Sequence, residues 1–267
     1  MSSNVRRMER ARERRQGMVV GSAPGVQPGP AAMVEIYGMR IGVMIPCGDM
    51  VHAAFCSSLA QMLMKTVAET NGGQIQLGVQ FYGSSILPFS RNLLAMTAIE
   101  LGMTHSLWID SDMEFTDDVL LKFAANARQH PILGINAMSR RPPFRCTAQS
   151  AHGIELETRP DSTGLEKVFR VGFGMAFIDT EVFKKLEMPW FSLKYLPEHK
   201  VFMGEDFWFC EKAREAGYDI MVDHDISKNV KHVGQFSYSP LLKHLTQTIA
   251  PGARDAVLAA GLVQEGE

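Results

Sequence analysis

The 267-residue sequence has little cysteine, and what it has is scattered: Cys47, Cys56, Cys146 and Cys210 form no C-x-x-C pair. That spacing excludes a disulfide framework and a zinc knuckle, so a reducing compartment, the cytoplasm, is the expectation. Long apolar runs are missing too. No stretch approaches the roughly eighteen residues of a membrane-spanning helix, and Met18 to Val26 is too short and too rich in glycine and proline for a signal-peptide core. Nor is there an excess of one charge: 27 Lys and Arg stand against 29 Asp and Glu, a formal net charge of -2. The chain as a whole is not a basic nucleic-acid body, and any contact with a polyanion has to be local.

What is present is enough hydrophobic sequence, 46%, for one α/β domain of ordinary size. Residues 1–36 read as a basic arm and linker, with Arg6, Arg7, Arg10, Arg12, Arg14 and Arg15 against only Glu9 and Glu13, then mostly Gly, Pro, Ala and Val. Such an arm either touches a phosphate-rich partner or is a solvated tail. Residues 37–239 read as the folded domain and 240–267 as a tail with a helix over 240–262. Periodicity predicts strands over 39–45, 75–82, 106–109 and 132–136, alternating with helices over 51–69, 89–102 and 117–129. That alternation argues for a largely parallel central sheet covered on both faces. A more mixed half follows, with strands over 146–158, 168–173 and 175–178, a helix over 206–216 and a strand over 220–222.

Leu107-Trp108-Ile109-Asp110-Ser111-Asp112 is the most informative segment, because an apolar strand delivers two carboxylates to the carboxyl edge of a parallel sheet, where such sheets bind ligands. Two acids so close repel unless a cation or a proton relieves them, and Mg²⁺ or Mn²⁺ bridging phosphates is the usual relief. The rival reading is a helix cap, a role that Asp117 and Asp118 can already fill. Gly204-Glu205-Asp206-Phe207 starts an amphipathic helix, where a carboxylate is either a cap or, beside an acceptor hydroxyl, a general base. His232 is either a softer donor to the same ion or an ordinary surface or core histidine.

Arg140 and Arg141, before Pro142-Pro143, suit a loop that closes over a diphosphate or steers an anionic acceptor, or one that is merely solvated. Gly172-Phe173-Gly174 opens no helix and is not a dinucleotide fingerprint. The aromatics around the late acid pair, Trp190, Phe191, Tyr195, Phe202, Phe207, Trp208 and Phe209, are sugar platforms or core, and Met188-Pro189-Trp190-Phe191 is the first choice for an acceptor wall.

The order of these motifs, Ile45-Pro46, Ser90-Arg91-Asn92, Ile109-Asp110-Ser111-Asp112, Gly204-Glu205-Asp206 and His232, resembles the GT-A fold glycosyltransferases over residues 38–236. It looks most like the compact family-2-like members of phages and bacteria. The resemblance implies a GT-A α/β domain that moves one sugar from a nucleoside-diphosphate sugar, of the UDP-sugar kind, to a hydroxyl, with Mn²⁺ or Mg²⁺ as cofactor. It implies Asp112 as the firmer metal ligand, and Asp110, with Ser111 in the same turn, at the ribose or the metal's water shell. His232 becomes a further metal ligand, and Asp206 the base of an inverting transfer with Glu205 as its substitute. Pro46 and Asp49 fall near the nucleotide base, and Arg91 where a cation meets the donor.

Two departures stand out. Pro46-Cys47-Gly48-Asp49 replaces a threonine-containing turn, and the Gln-x-x-Arg-Trp segment of processive synthases is absent, which implies single transfer. Gln76 to Tyr82 has no acid to bind uracil, which leaves the base open. The implied acceptors are hydroxymethylated DNA held by the basic arm, in the host cytoplasm for a phage enzyme, or otherwise a glycan or a protein. The competing classes are a haloacid-dehalogenase-like phosphatase, whose Asp-x-Asp lies near the chain start, a nucleotidyltransferase on a similar fold, and a non-catalytic nucleic-acid-binding module.

Overall fold

A strand that buries every side chain from Ile41 to Pro46 opens the described part of the chain. The structure, a computed structural model, describes residues 38–70, 75–140, 144–150 and 154–234. The expected basic arm, Arg141 with Pro142 and Pro143, and the expected helix over 240–262 lie outside them. The chain divides into two compact units, Met1–Val233 and Gly234–Glu267, and every element below belongs to the first.

In chain order these are β1 (Arg40–Cys47), α1 (Ala53–Glu69), β2 (Gln76–Gly83), α2 (Leu87–Glu100), β3 (His105–Ile109), β4 (Met113–Glu114), α3 (Val119–Asn126) and β5 (Ile132–Gly134). Then come β6 (Leu165–Val168), β7 (Met175–Asp179), α4 (Thr180–Lys185), β8 (Lys194–Leu196), β9 (Val201–Met203), α5 (Glu205–Glu215), β10 (Ile220–Asp223), α6 (His224–Ser227) and β11 (Lys231–His232). Seven strands form one sheet in the order β2-β1-β3-β7-β5-β10-β6. The pairings of β1 with β2 and β3, and of β5 with β10, are parallel, while β7 runs against both β3 and β5, and β6 against β10. Five strands therefore point one way, as the strand–helix alternation predicts, and the reversed strands come from the second half.

Both faces of the sheet are apolar because the strands alternate two hydrophobic sets with the two-residue period of a pleat. Ile41, Val43, Ile45, Leu107, Ile109, Met175 and Phe177 face α1 and α3, where Phe55, Met62, Leu120 and Phe123 close one core. Met44, Trp108, Ala176, Ile178, Ile220 and Val222 face α2, α4 and α5, where Leu94, Ala98, Phe183, Phe209 and Ala213 close the other. Each of the larger aliphatic and phenylalanine side chains contributes about 1.5–3 kcal/mol on burial, so the central strands are held from both sides. Asn92 fastens the second core to the chain that follows α4: its amide donates to Phe191 O and accepts from Trp190 N–H at 2.9 Å. Among the described residues no helix is long and apolar enough to cross a membrane.

Four local expectations are corrected. The described residues of the stretch 146–158 form no strand but carry isolated bridges, such as Met138 with Cys146 and Gln149 with Glu155. Strand β6 ends at Val168, so residues 169–173 are a connection rather than the strand expected there. Helix α3 begins at Val119, and neither Asp117 nor Asp118 caps it: Asp118 accepts from Thr116 Oγ1 and pairs with Lys122, and Asp117 pairs with Lys65 at 2.9 Å. Trp190 and Phe191 are core rather than an acceptor wall, 5% and 1% exposed, with Trp190 Nε1 donating to Phe183 O and Leu186 O.

Candidate active site

The parallel strands end at one edge of the sheet, and the chemistry-bearing residues collect there. Strand β3 stops at Ile109 and hands over to Asp110, whose N–H donates to Gly174 O just before the reversed strand β7. The turn at Ser111 is met from the side by the loop after β1, where His52 N–H donates to Ser111 O at 3.2 Å. Short strand β11 pairs antiparallel with β4, and Val233 N–H donates to Asp112 O at 2.7 Å. This miniature ribbon carries His232 to Asp112 across 120 residues of sequence.

Arg91 is the centre of the first half of the site. It lies on the stripe of α2 that also carries Leu94, Ala95 and Ala98, and its side chain is 2% exposed. Its NH2 reaches Asp110 Oδ1 at 2.9 Å and its NH1 stands 3.2 Å from Glu205 Oε1, with the Phe173 ring 5.4 Å beneath the guanidinium. One buried cation thus ties the end of β3 to the start of α5. Burial pushes the carboxyls of Asp110 and Glu205 upward, neighbouring acids add to that, and Arg91 opposes it without cancelling it. Neither Nε nor NH1 of Arg91 makes a hydrogen bond among the described residues, so NH1 meets Glu205 as an ion pair only. Arg91 therefore does not project into the open where a cation would meet a donor; it holds two acids in place.

Asp112 is the centre of the second half. Its Oδ2 pairs with Arg140 NH1, and its Oδ1 lies 3.3 Å from His232 Nε2. His232 Nδ1 lies 2.9 Å from Met138 O, a group that only accepts, so the proton sits on Nδ1 and Nε2 is the nitrogen turned to Asp112. Partial burial works against the charge of Asp112, yet the hydrogen bond and charge of His232, with Arg140, hold its carboxyl below the usual carboxylate range. His232 is the mirror case: burial favours its neutral form, and Asp112 outweighs that and raises its pKa.

This pair fits two neighbouring ligands of an octahedral divalent ion. Bonds of about 2.1 Å at right angles place donor atoms about 3 Å apart, close to the 3.3 Å between Asp112 Oδ1 and His232 Nε2. Among the described residues no group of three or more His, Cys, Asp and Glu side chains is already gathered as a ligand set, and Asp110 is engaged by Arg91. An ion held here would therefore take two ligands from these side chains and would need its remaining ones from elsewhere, as such ions do at phosphate sites.

Glu205 turns inward to Arg91, whereas Asp206 is half-buried, accepts from Phe207 N–H at 2.7 Å, and is near enough to act electrostatically on Arg91, Asp110 and Glu205. Pro46 is buried in β1 opposite Tyr82, and Asp49 is exposed in the loop that His52 ties to Ser111. The structure therefore brings together Asp110, Ser111, Asp112, Arg91, Glu205, Asp206 and His232, and sets Asp49 on a neighbouring loop. Sequence reading missed Arg140 as the partner of Asp112, since no spacing rule links a loop arginine to an acid 28 residues earlier.

No protein-family model matches the sequence, and no curated protein matches it. Solved structures do resemble it in shape. The protein A197 from STIV is similar over 75% of this chain and 97% of its own, at 14% identity and a TM-score of 0.48. GalNAc-T7, solved with UDP, GalNAc and Mn²⁺, is similar over 82% of this chain at 12% identity and a TM-score of 0.48, and the match spans only 48% of that protein. The catalytic domain of Drosophila β1,4-galactosyltransferase 7, solved with xylobiose, is similar over 80% of this chain and 81% of its own, at 12% identity and a TM-score of 0.44.

Proposed function

We propose that the chain is a glycosyltransferase that moves one sugar from a nucleoside-diphosphate sugar, of the UDP kind, to an acceptor hydroxyl, with Mn²⁺ or Mg²⁺ as cofactor. The observation that carries this reading is the convergence of Asp110, Asp112, Glu205, Asp206 and His232 with Arg91 and Arg140 at the carboxyl edge of the parallel strands. Asp112 and His232 Nε2 are the groups that would hold the ion. When bound, it supplies positive charge against a departing diphosphate. Arg91 keeps Asp110 and Glu205 in register, so that the turn at Ser111 and the start of α5 do not drift apart. Asp206 takes the proton of the acceptor hydroxyl; the oxygen forms its bond to the sugar C1 as the C1–O bond to the diphosphate breaks and that electron pair leaves with the diphosphate. Attack from the side opposite the leaving group inverts the anomeric centre.

The test is thermal denaturation of the full chain with UDP, other nucleoside diphosphates and their sugars, with and without Mn²⁺. A ligand at a hundredfold excess over Kd stabilises the folded state by about 2.7 kcal/mol, which for a chain of this size raises Tm by roughly 5–10 °C. A shift that needs both nucleotide and metal is the expected result; no shift with any nucleotide under any metal condition sinks the reading. Products separate the nucleotidyltransferase alternative, since sugar transfer releases a nucleoside diphosphate and nucleotidyl transfer releases pyrophosphate.

Arg140 makes a further prediction. Its guanidinium, 50% exposed, occupies the carboxylate that the ion would need. Arg140→Gln is expected to tighten Mn²⁺ binding to the nucleotide-free protein by up to about fivefold, the equivalent of an exposed ion pair of ~1 kcal/mol. Electron paramagnetic resonance titration of free Mn²⁺ reads this directly, and weaker binding by the variant would show that Arg140 supports the metal site rather than competes for it.

A further inference from the structure

A cavity of about 500 Å³ opens between the segment leaving β5, the stretch 158–160 and the end of α6. Asn136, Thr158 and Ser227 line it, and their polar groups are already engaged. Asn136 donates to Leu156 O and to Thr158 Oγ1, its side-chain oxygen accepts from Ala148 N–H, and its own N–H donates to Ser227 Oγ. Thr158 Oγ1 lies 2.9 Å from His224 Nδ1, and His224 Nε2 lies 3.0 Å from Glu166. This chain of bonds fixes the shape of the wall. Met138, Cys146, Pro160 and Val230 add apolar surface.

Two cations stand at the cavity, each paired with an acid outside its lining, Arg159 with Glu157 and Lys228 with Asp225. Among the described lining residues Arg159 and Lys228 are the charged ones, and none is an acid. Lys228 spends two of its three donors, on Ser162 O at 2.7 Å and Asp225 at 3.0 Å, and Arg159 spends Nε and NH2 on Glu157. Each cation keeps a donor for a ligand. The cavity also borders the metal-binding pair: Met138 lines it and holds His232 through its carbonyl, and Val230 lies two residues before His232.

We propose that this cavity is the acceptor site and that the acceptor is a small sugar bearing an anionic group, a phosphate or a carboxylate. The inference rests on the sugar-transfer reading. The volume is in the range of small-ligand sites. A preformed apolar and hydroxyl-lined wall suits the body of a sugar, and the two cations at the rim suit its anion.

The experiment measures binding of glucose 6-phosphate, glucuronate and glucose to the full chain by titration calorimetry. Mass spectrometry follows iodoacetamide alkylation of half-buried Cys146 in the cavity and of exposed Cys56 on α1. At least one anionic sugar is expected to bind ten or more times tighter than glucose and to slow Cys146 alkylation severalfold without changing Cys56. The double variant Arg159→Gln with Lys228→Gln is expected to remove that advantage while leaving the Mn²⁺-dependent Tm shift by nucleotide intact. Preference for glucose 6-phosphate points to a phosphorylated acceptor, and preference for glucuronate to a carboxylated one. Equal binding of glucose, or no protection of Cys146 by either anion, overturns the proposal; so does a DNA duplex that protects Cys146 where the sugars do not. Protection of Cys146 in a protein that no nucleotide stabilises overturns the acceptor role through failure of the sugar-transfer reading. Loss of protection with the nucleotide shift intact overturns the acceptor site alone.

Discussion

Arg91→Ala is expected to cost roughly 3–5 kcal/mol of folding stability, the cost typical of removing one partner from a buried ion pair, which is a large share of the ~5–15 kcal/mol that holds a domain folded. The guanidinium is 2% exposed and faces two carboxylates whose pKa values burial already raises. Without it, Asp110 and Glu205 would each carry a buried charge with no cation. Arg91→Lys is expected to fall between, because a single ammonium cannot span both acids as a planar fork does. The triple variant Arg91→Met, Asp110→Asn, Glu205→Gln removes the cation together with the two acids it contacts and is expected to recover most of the loss. Urea denaturation of the four proteins measures this; a triple variant no more stable than Arg91→Ala would show that packing, not charge, is the source of the loss.

Acidity gives an independent check with a defined sign. An acid whose folded pKa lies above its unfolded value penalises the folded state at high pH, and the penalty is relieved as pH falls through the folded pKa. Arg91→Ala takes away the cation that opposes the upward shift of Asp110 and Glu205. The deficit of Arg91→Ala relative to the wild type should therefore be largest at neutral pH and shrink on acidification toward the ordinary carboxylate range near 4.

Asp112→Asn is expected to do the opposite: abolish chemistry and spare the fold. Transfer should fall by at least ~10²–10³-fold, the scale for losing one preorganised group that answers transition-state charge, and the Mn²⁺-dependent nucleotide shift in Tm should disappear. Stability should change by only ~1 kcal/mol, because the partners of Asp112 are a half-exposed arginine and a histidine that can lose its proton. His232 should then titrate lower than in the wild type, since Asp112 raises its pKa more than the Met138 carbonyl does. Steady-state transfer and a proton NMR titration of His232 read the two effects. Retained metal-dependent nucleotide binding in Asp112→Asn would remove Asp112 from the proposed ligand pair.

The contrast between these two acids, two residues apart, is where the sequence was readable and where it was not. The apolar run to Ile109 placed both carboxylates at the sheet edge, because strand ends and parallel order follow from local pattern. The division of labour between them depends on Arg91 and Arg140, which arrive from another helix and another loop. One signal was available: Arg91 shares a stripe with Leu94, Ala95 and Ala98, and an arginine on a buried stripe needs acids to face it. The late carboxylates were found by their place at a helix start, but that Glu205 turns inward while Asp206 stays half-buried is set by tertiary packing. The short ribbons β4–β11 and β8–β9 had no legible pattern, since two or three residues give no periodicity. For Trp190 and Phe191 composition cannot tell a sugar platform from a core, and it is Asn92 that draws both into the interior.

Strand β7 sits between β3 and β5 although it follows β5 by some forty residues in the chain. During synthesis, everything from β1 to β5 leaves the ribosome before the strand that must separate β3 from β5 exists. Until Met175–Asp179 emerges, the carboxyl-edge turn at Asp110 has no Gly174 carbonyl to bind and two central strands keep open edges. A nascent chain stalled at this stage is an unpaired template for other strands. Shielding by a chaperone during that interval should therefore govern the yield of folded protein.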